Sequence, residues 1–141
     1  MTTASHFTVL RRATQGYCDI QDLTDDVEQC VAESEIAEGL AVVAVAGSTA
    51  SVTTIEYESG AVADLRRAIE QIAPQDAEYA HNLRWGDGNG FSHVRAALLG
   101  PSLCLPVHEG RLIHGTWQQV VLLDFDNGPR ERRITVQVLG R

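Results

Sequence analysis

The segment YAHNLRWGDGNGFSH, residues 79–93, holds His81, Asp87 and His93 within thirteen positions, set among glycines that permit close backbone approach. Two imidazoles and a carboxylate can fill three positions on a divalent ion such as Mg or Zn and leave one open for water or substrate. The same atoms can act as acid and base without a metal, because histidine exchanges its proton near neutrality. Histidines that merely cap a loop are the plain alternative. Gly47-Ser48-Thr49-Ala50-Ser51 offers backbone N–H groups and hydroxyls to an anion, or else is an ordinary sharp reversal. Glu56 lies in a stretch, SVTTIEY, that reads as a strand, and points to the sheet face opposite its neighbours Ile55 and Tyr57, where a carboxylate is either solvated or functional. In Gly115-Thr116-Trp117-Gln118, Trp117 is suited to stack on a planar heterocycle and Gln118 to read its polar edge, although tryptophan is more often core or interface. Arg130 and Arg132 can reach a phosphate or pair with Asp124, Asp126 and Glu131. His6, His108 and His114 have no pattern that selects them.

These residues need elements to hold them. SHFTVLRR, residues 5–12, reads as a strand, and Leu23, Val27, Cys30, Val31 and Ser34 recur at helical spacing, with Asp19 or Asp22 as N-cap and Gly39 as stop. The acids from Asp22 to Glu38 read as a solvated helix face. LAVVAVAG is apolar throughout and predicts a central strand buried on both faces, followed by a second strand, SVTTIEY. Val62, Leu65, Ile69 and Ile72 predict a helix from Ser59 that Pro74 ends. Residues 75–92 have no periodicity and read as a long functional loop. A short helix follows from His93 to Leu99, then strands at SLCLPV, RLIHGTWQQVVLLDF and RRITVQVLG, with turns at 109–110 and 127–129. Strands and helices do not alternate strictly, so the expected class is α+β, not a doubly wound parallel sheet.

With 141 residues the chain has room for one domain. All eleven basic residues are arginine, which removes Schiff-base and P-loop lysine chemistry. A net charge of -8 has the wrong sign for a nucleic-acid partner. The absence of a long apolar run argues against a membrane span or a signal peptide. Cys18, Cys30 and Cys104 are odd in number, lack a CxxC spacing and read as buried thiols, so the expected location is cytoplasmic.

HNLRWGDGNGFSHVRAALLGPSLCLPV and GRLIHGTWQQVVLLDFDNGPRERR, together with TTIEYESG, resemble the YjbQ family, also called secondary thiamine-phosphate synthases. The resemblance covers nearly the whole chain and implies a single α+β domain over 1–141, with antiparallel β-sheets packed around a central helix. It implies a homotrimer with polar pockets near subunit boundaries. The implied activity is weak thiamine-phosphate synthesis, in which a thiazole phosphate nitrogen attacks a pyrimidine methylene diphosphate and releases pyrophosphate. The matching positions are Glu56, Asp64, His81, Asp87, Gly88, Asn89, Gly90, His93, Gly115, Thr116, Trp117 and Gln118. The chain departs from the family at Gly47 and Phe91, where many members have histidine, and at Ile55, where asparagine is frequent, so a three-histidine site cannot be assembled from these positions.

The expectation is a pocket of Glu56, His81, Asp87 and His93 for a small phosphorylated or heterocyclic ligand. Ser48, Thr49 and Arg95 meet phosphate, Trp117 and Gln118 meet the ring, and His81, His93 and Asp87 are the candidate ligands of a divalent metal. No nucleotide cofactor is expected. The alternatives are a metal-dependent hydrolase using the same pocket and a non-enzymatic trimeric binding protein.

Overall fold

A computed structural model describes residues 2–141. The chain order is β1 (Ala4–Thr14), β2 (Asp19–Asp22), α1 (Thr24–Ser34), β3 (Gly39–Val45), β4 (Ala50–Ile55), α2 (Ser59–Ile72), α3 (Ala80–Trp85), α4 (Gly90–Leu99), β5 (Ser102–His108), β6 (Arg111–Leu112), β7 (Gln119–Asp124) and β8 (Arg130–Gly140). Five strands form a sheet in the order β1-β8-β3-β5-β6, and three form a smaller one in the order β2-β7-β4. Every pairing is antiparallel. The class is therefore α+β.

Strand periodicity decides which residues face inward. Val43 and Val45 of β3, Val136 and Val138 of β8, Val52 of β4 and Leu122 of β7 meet Val27, Cys30 and Val31 of α1 in one core between the two sheets. On the other face of the small sheet, Ile20, Val121, Leu123 and Phe125 pack against Val62 and Ile69 of α2 and Ala96 of α4. The strand buried on both faces is thus β7, whose residues from Val120 to Asp124 are all buried. The expectation for β3 is corrected. Its residues alternate, and Leu40 and Val42 are 49% and 41% exposed because nothing among the described residues covers the outer face of the large sheet.

Local chemistry sets the ends of the helices. Asp22 accepts hydrogen bonds from the N–H and hydroxyl of Thr24 at 2.9 and 2.6 Å, which opens α1. The residues just before it form β2, too short to show periodicity in sequence, and it pairs with β7. Glu58 accepts from the N–H groups of Gly60 and Ala61 at the start of α2, and these bonds hold its carboxyl below the usual range. The expected loop at 75–92 contains α3 and the first turn of α4. The expected long strand from 111 is broken, because residues 113–118 leave the large sheet after β6 and enter the small sheet only at Gln119.

Candidate functional site

Two turns and two helices converge at one end of the small sheet, where Ala50 of β4 pairs with Asp124 of β7. They enclose a cleft of about 410 Å³ lined by Gly47, Ser48, Thr49, His81, Trp85, Asp87, Asn89, His93, Asp126, Arg130 and Arg132. Gly86 and Gly88, with φ of 73° and 71°, turn the chain between α3 and α4 in a conformation that side chains with a Cβ avoid. Two further bonds fix that turn. Asn82 accepts from the N–H of Gly90 at 2.8 Å, and the Asn127 amide donates to the Asp87 carbonyl at 2.7 Å.

His81 from α3 and His93 from α4 stand with ring centroids 4.4 Å apart at 40°. Asp87 Oδ1 lies 3.3 Å from His81 Nδ1. The two atoms are close enough for charge attraction but lack hydrogen-bond geometry, so this buried nitrogen has no hydrogen-bond partner. The Asn89 amide lies between two acids. In one orientation its nitrogen is 3.4 Å from Asp126 Oδ1, and reversed it donates to both oxygens of Asp87 at 3.0 and 3.2 Å.

The floor is an ionic network. Arg132, 7% exposed, grips Asp124 with Nε at 2.6 Å and Nη2 at 3.0 Å, and Nη2 also donates to the Thr49 hydroxyl at 2.6 Å. The Thr14 hydroxyl donates to Asp124 as well. Arg130 Nε donates to Asp126 at 2.7 Å, and the Thr49 hydroxyl donates to the same oxygen at 3.1 Å. Burial alone would raise the Asp126 carboxyl, but the Asn127 N–H, the Asn89 amide and Arg130 outweigh it and hold the group below the usual carboxylate range. Both acids are therefore spent on internal partners. Arg132 Nη1 has no hydrogen-bond partner among the described residues and lies beside Gly47, and the half-exposed Arg130 guanidinium lines the same cleft. Free guanidinium N–H groups beside hydroxyls are suited to an oxyanion.

The remaining expected site residues lie elsewhere, and strand and helix geometry explains each. Glu56 follows β4 at the end opposite the cleft, about 20 Å away at roughly 3.3 Å per residue. Gln118 binds Thr54 at that same far end, and Trp117 beside it is 73% exposed, so neither reaches the cleft. Arg95 is two residues past His93, on the other side of α4, where it donates to the Ala73 carbonyl at 2.9 Å and to Glu70 of α2. It is a strut between helices, not a phosphate ligand. The aromatic ring at the cleft is Trp85.

A metal set of His81, His93 and Asp87 is not assembled. The two imidazoles are adjacent, with centroids 4.4 Å apart and tilted by 40°, but among the described residues no group of three or more His, Cys, Asp or Glu is arranged to hold a metal ion. Nor do the cysteines provide a nucleophile there. Burial pushes the thiols of Cys18 and Cys30 up and keeps them protonated, and Cys104, expected to be buried, is exposed on β5. From sequence, Arg130 and Arg132 are candidates either to reach a phosphate or to pair with Asp124 and Asp126, and the fold has them bonded to these acids at the cleft. Their D-x-D and R-x-R spacing on either side of the 127–129 turn was the signal that both pairs share one face.

A two-sheet antiparallel α+β fold with an ionic, histidine-bearing cleft at one end of its smaller sheet defines a class of small proteins. Residues 8–141 match the family model described as UPF0047 protein YjbQ-like, and the chain belongs to this family. It is 39% identical over 121 residues to a UPF0047 protein of Archaeoglobus fulgidus, covering 86% of this chain and 91% of that one. Among solved structures it is similar to a YbjQ-like protein of unknown function from Sulfolobus solfataricus, with a TM-score of 0.95 and 35% identity over 99% of this chain and all of the other. A hypothetical protein from Aeropyrum pernix gives a TM-score of 0.87 and 32% identity over 100% of both chains.

Proposed function

We propose that the cleft binds a small phosphorylated organic molecule and that His81 and His93 move protons there. The observation that carries this reading is the juxtaposition of two guanidiniums having unused N–H groups, at Arg130 and Arg132, with an adjacent pair of imidazoles. Ser48 and Thr49 line the same wall. These groups suit weak thiamine-phosphate synthesis. The bond from the pyrimidine methylene carbon to the diphosphate oxygen breaks, and its electron pair leaves with pyrophosphate. The thiazole nitrogen lone pair forms the new C–N bond. In this reading the arginines stabilise charge developing on the departing diphosphate and a protonated imidazole neutralises it. Asp87 at the mouth, beside His81, favours a nearby cationic ring.

The test uses protein produced in a host lacking its own thiamine-phosphate synthase, mixed with the two precursors. Thiamine phosphate should form, and His93→Ala should lower the rate by about 10²-fold or more. Unchanged rates in both His81→Ala and His93→Ala would contradict the reading.

We further propose that copies of the chain cover the outer face of the large sheet as a homotrimer. Support comes from Phe7, Val9, Leu40, Val42 and Leu139, all exposed on that face, a contiguous apolar surface of the kind that marks association. Light scattering should give three times the chain mass, and a monomer at micromolar concentration would contradict it. Three unpaired thiols, one of them exposed, support a reducing compartment such as the cytoplasm. No helix among the described residues is long and apolar enough to cross a membrane.

A further inference from the structure

Beside the ionic cleft opens a second cavity, of about 280 Å³, and the two share Gly47, Ser48 and His93 as walls. Its remaining lining is Ala50, Ala96, Ala97 and Pro101, so no charged side chain enters it. Three hydrogen bonds make it a preformed annex. Ser51 donates to the Ala96 carbonyl at 3.1 Å, the Val45 N–H to the Pro101 carbonyl at 2.9 Å and the Val52 N–H to the Gly100 carbonyl at 3.3 Å, tying the end of α4 to strands of both sheets. Helical spacing accounts for the division. His93, Ala96 and Ala97 are three and four residues apart on one face of α4, so the imidazole stands where the charged half meets the apolar half.

Gly47 keeps the two halves joined. Its φ of 124° lies where glycine is favoured, and a Cβ added there would stand 2.7 Å from Arg132 Nη1. A side chain would displace the free guanidinium nitrogen and narrow the passage between the cavities. We infer that the ligand is a phosphate ester spanning both halves. Its phosphate meets Arg130 and Arg132, its small uncharged group lies on Ala96, Ala97 and Pro101, and Gly47 sets the size of what passes between them. The ester linkage then lies beside His93. This rests on the phosphorylated-ligand reading and adds to it the chemical class of the organic group and the residues that select it.

Calorimetric titration with inorganic phosphate and with benzyl phosphate tests the inference. Wild-type protein should bind the ester roughly tenfold or more tightly than phosphate, the gain expected from burying an apolar ring. Ala97 is exposed on α4, so Ala97→Leu should fold normally and fill the annex, and the preference should fall to about onefold. Phosphate binding by that variant then reports an intact ionic cleft. Gly47→Ala should weaken both compounds by displacing Arg132. Equal affinities in the wild type, or a preference retained in Ala97→Leu, would overturn this inference and leave the phosphate site standing. Failure of both compounds to bind would overturn the site itself together with the inference.

Discussion

The small sheet has two chemically rich ends, and only one of them is built to receive a ligand. At the end where Ala50 pairs with Asp124, buried acids hold two arginines in place and leave guanidinium N–H groups facing open space. At the other end, where Ile55 pairs with Gln119, the polar groups satisfy one another. Gly115 donates to Gln118 at 2.9 Å, Gln118 to Thr54 at 3.2 Å, and Gln119 to the Thr116 carbonyl at 3.0 Å. His114 Nδ1 faces the carbonyls of Gly115 and Gln118, and its Nε2 faces Glu28 at 2.6 Å. Both ring nitrogens meet acceptors, an arrangement that favours the doubly protonated ring and raises its proton affinity above the ordinary histidine value. That closed network positions a loop. The lesson is that residue types alone do not distinguish a binding site from a clasp; leftover hydrogen-bonding capacity facing a cavity does.

The sharpest way to break the contrast is to remove Asp124. Arg132 would lose both of its short carboxylate bonds and keep only Asp126, 3.8 Å from Nη2 and already bonded to Arg130, at a cost of about 3–5 kcal/mol, so Asp124→Ala should lower the thermal midpoint severely. A shift of under about 1 kcal/mol would show that the network is less buried than described. Next in size is Leu122→Ala in the strand buried on both faces, which should cost about 2–5 kcal/mol in denaturant unfolding.

The two ends should also respond oppositely to pH. The Glu28 bond raises the His114 proton affinity most, burial opposes it, and the carbonyls of Gly115 and Gln118 add to the rise. Its contribution is fully present below the ordinary histidine value and is lost as pH rises through the higher folded value. Asp126 has the reverse sign, because its carboxyl is held low. Its contribution is present above the usual carboxylate range and is lost as pH falls through the folded value. His114→Gln should therefore destabilise by at most about 1 kcal/mol at pH 5.5 and converge with wild type at alkaline pH. A difference that grew with pH would contradict the clasp. Smallest of all, Trp117→Ala should change stability by less than about 0.5 kcal/mol and leave phosphate binding untouched.

The class of the fold is legible from strands at hairpin spacing, from the two longer helical periods, α1 and α2, and from an element order that does not alternate strictly. β2 and α3 are missed because four and six residues are too few to display a period. β3 reads as a doubly buried strand because VVAV looks alike whether its outer face meets protein or solvent. His81, Asp87 and His93 were legible because they are close in sequence. Glu56, Trp117 and Gln118 were misplaced because position along a strand, which separates them from the cleft by the whole length of β4, is invisible until the register with β7 is known. For Arg132 the sequence leaves phosphate contact and pairing with nearby acids as alternatives, since its unused Nη1 is a property of the folded network.

The central claim is tested most directly by following the five histidine side chains by NMR while benzyl phosphate is added at constant pH. The account predicts that His81 and His93 shift together in a saturable manner while His6, His108 and His114 stay fixed. Shifts confined to His114, or no shift at His81 and His93 at saturation, would contradict it.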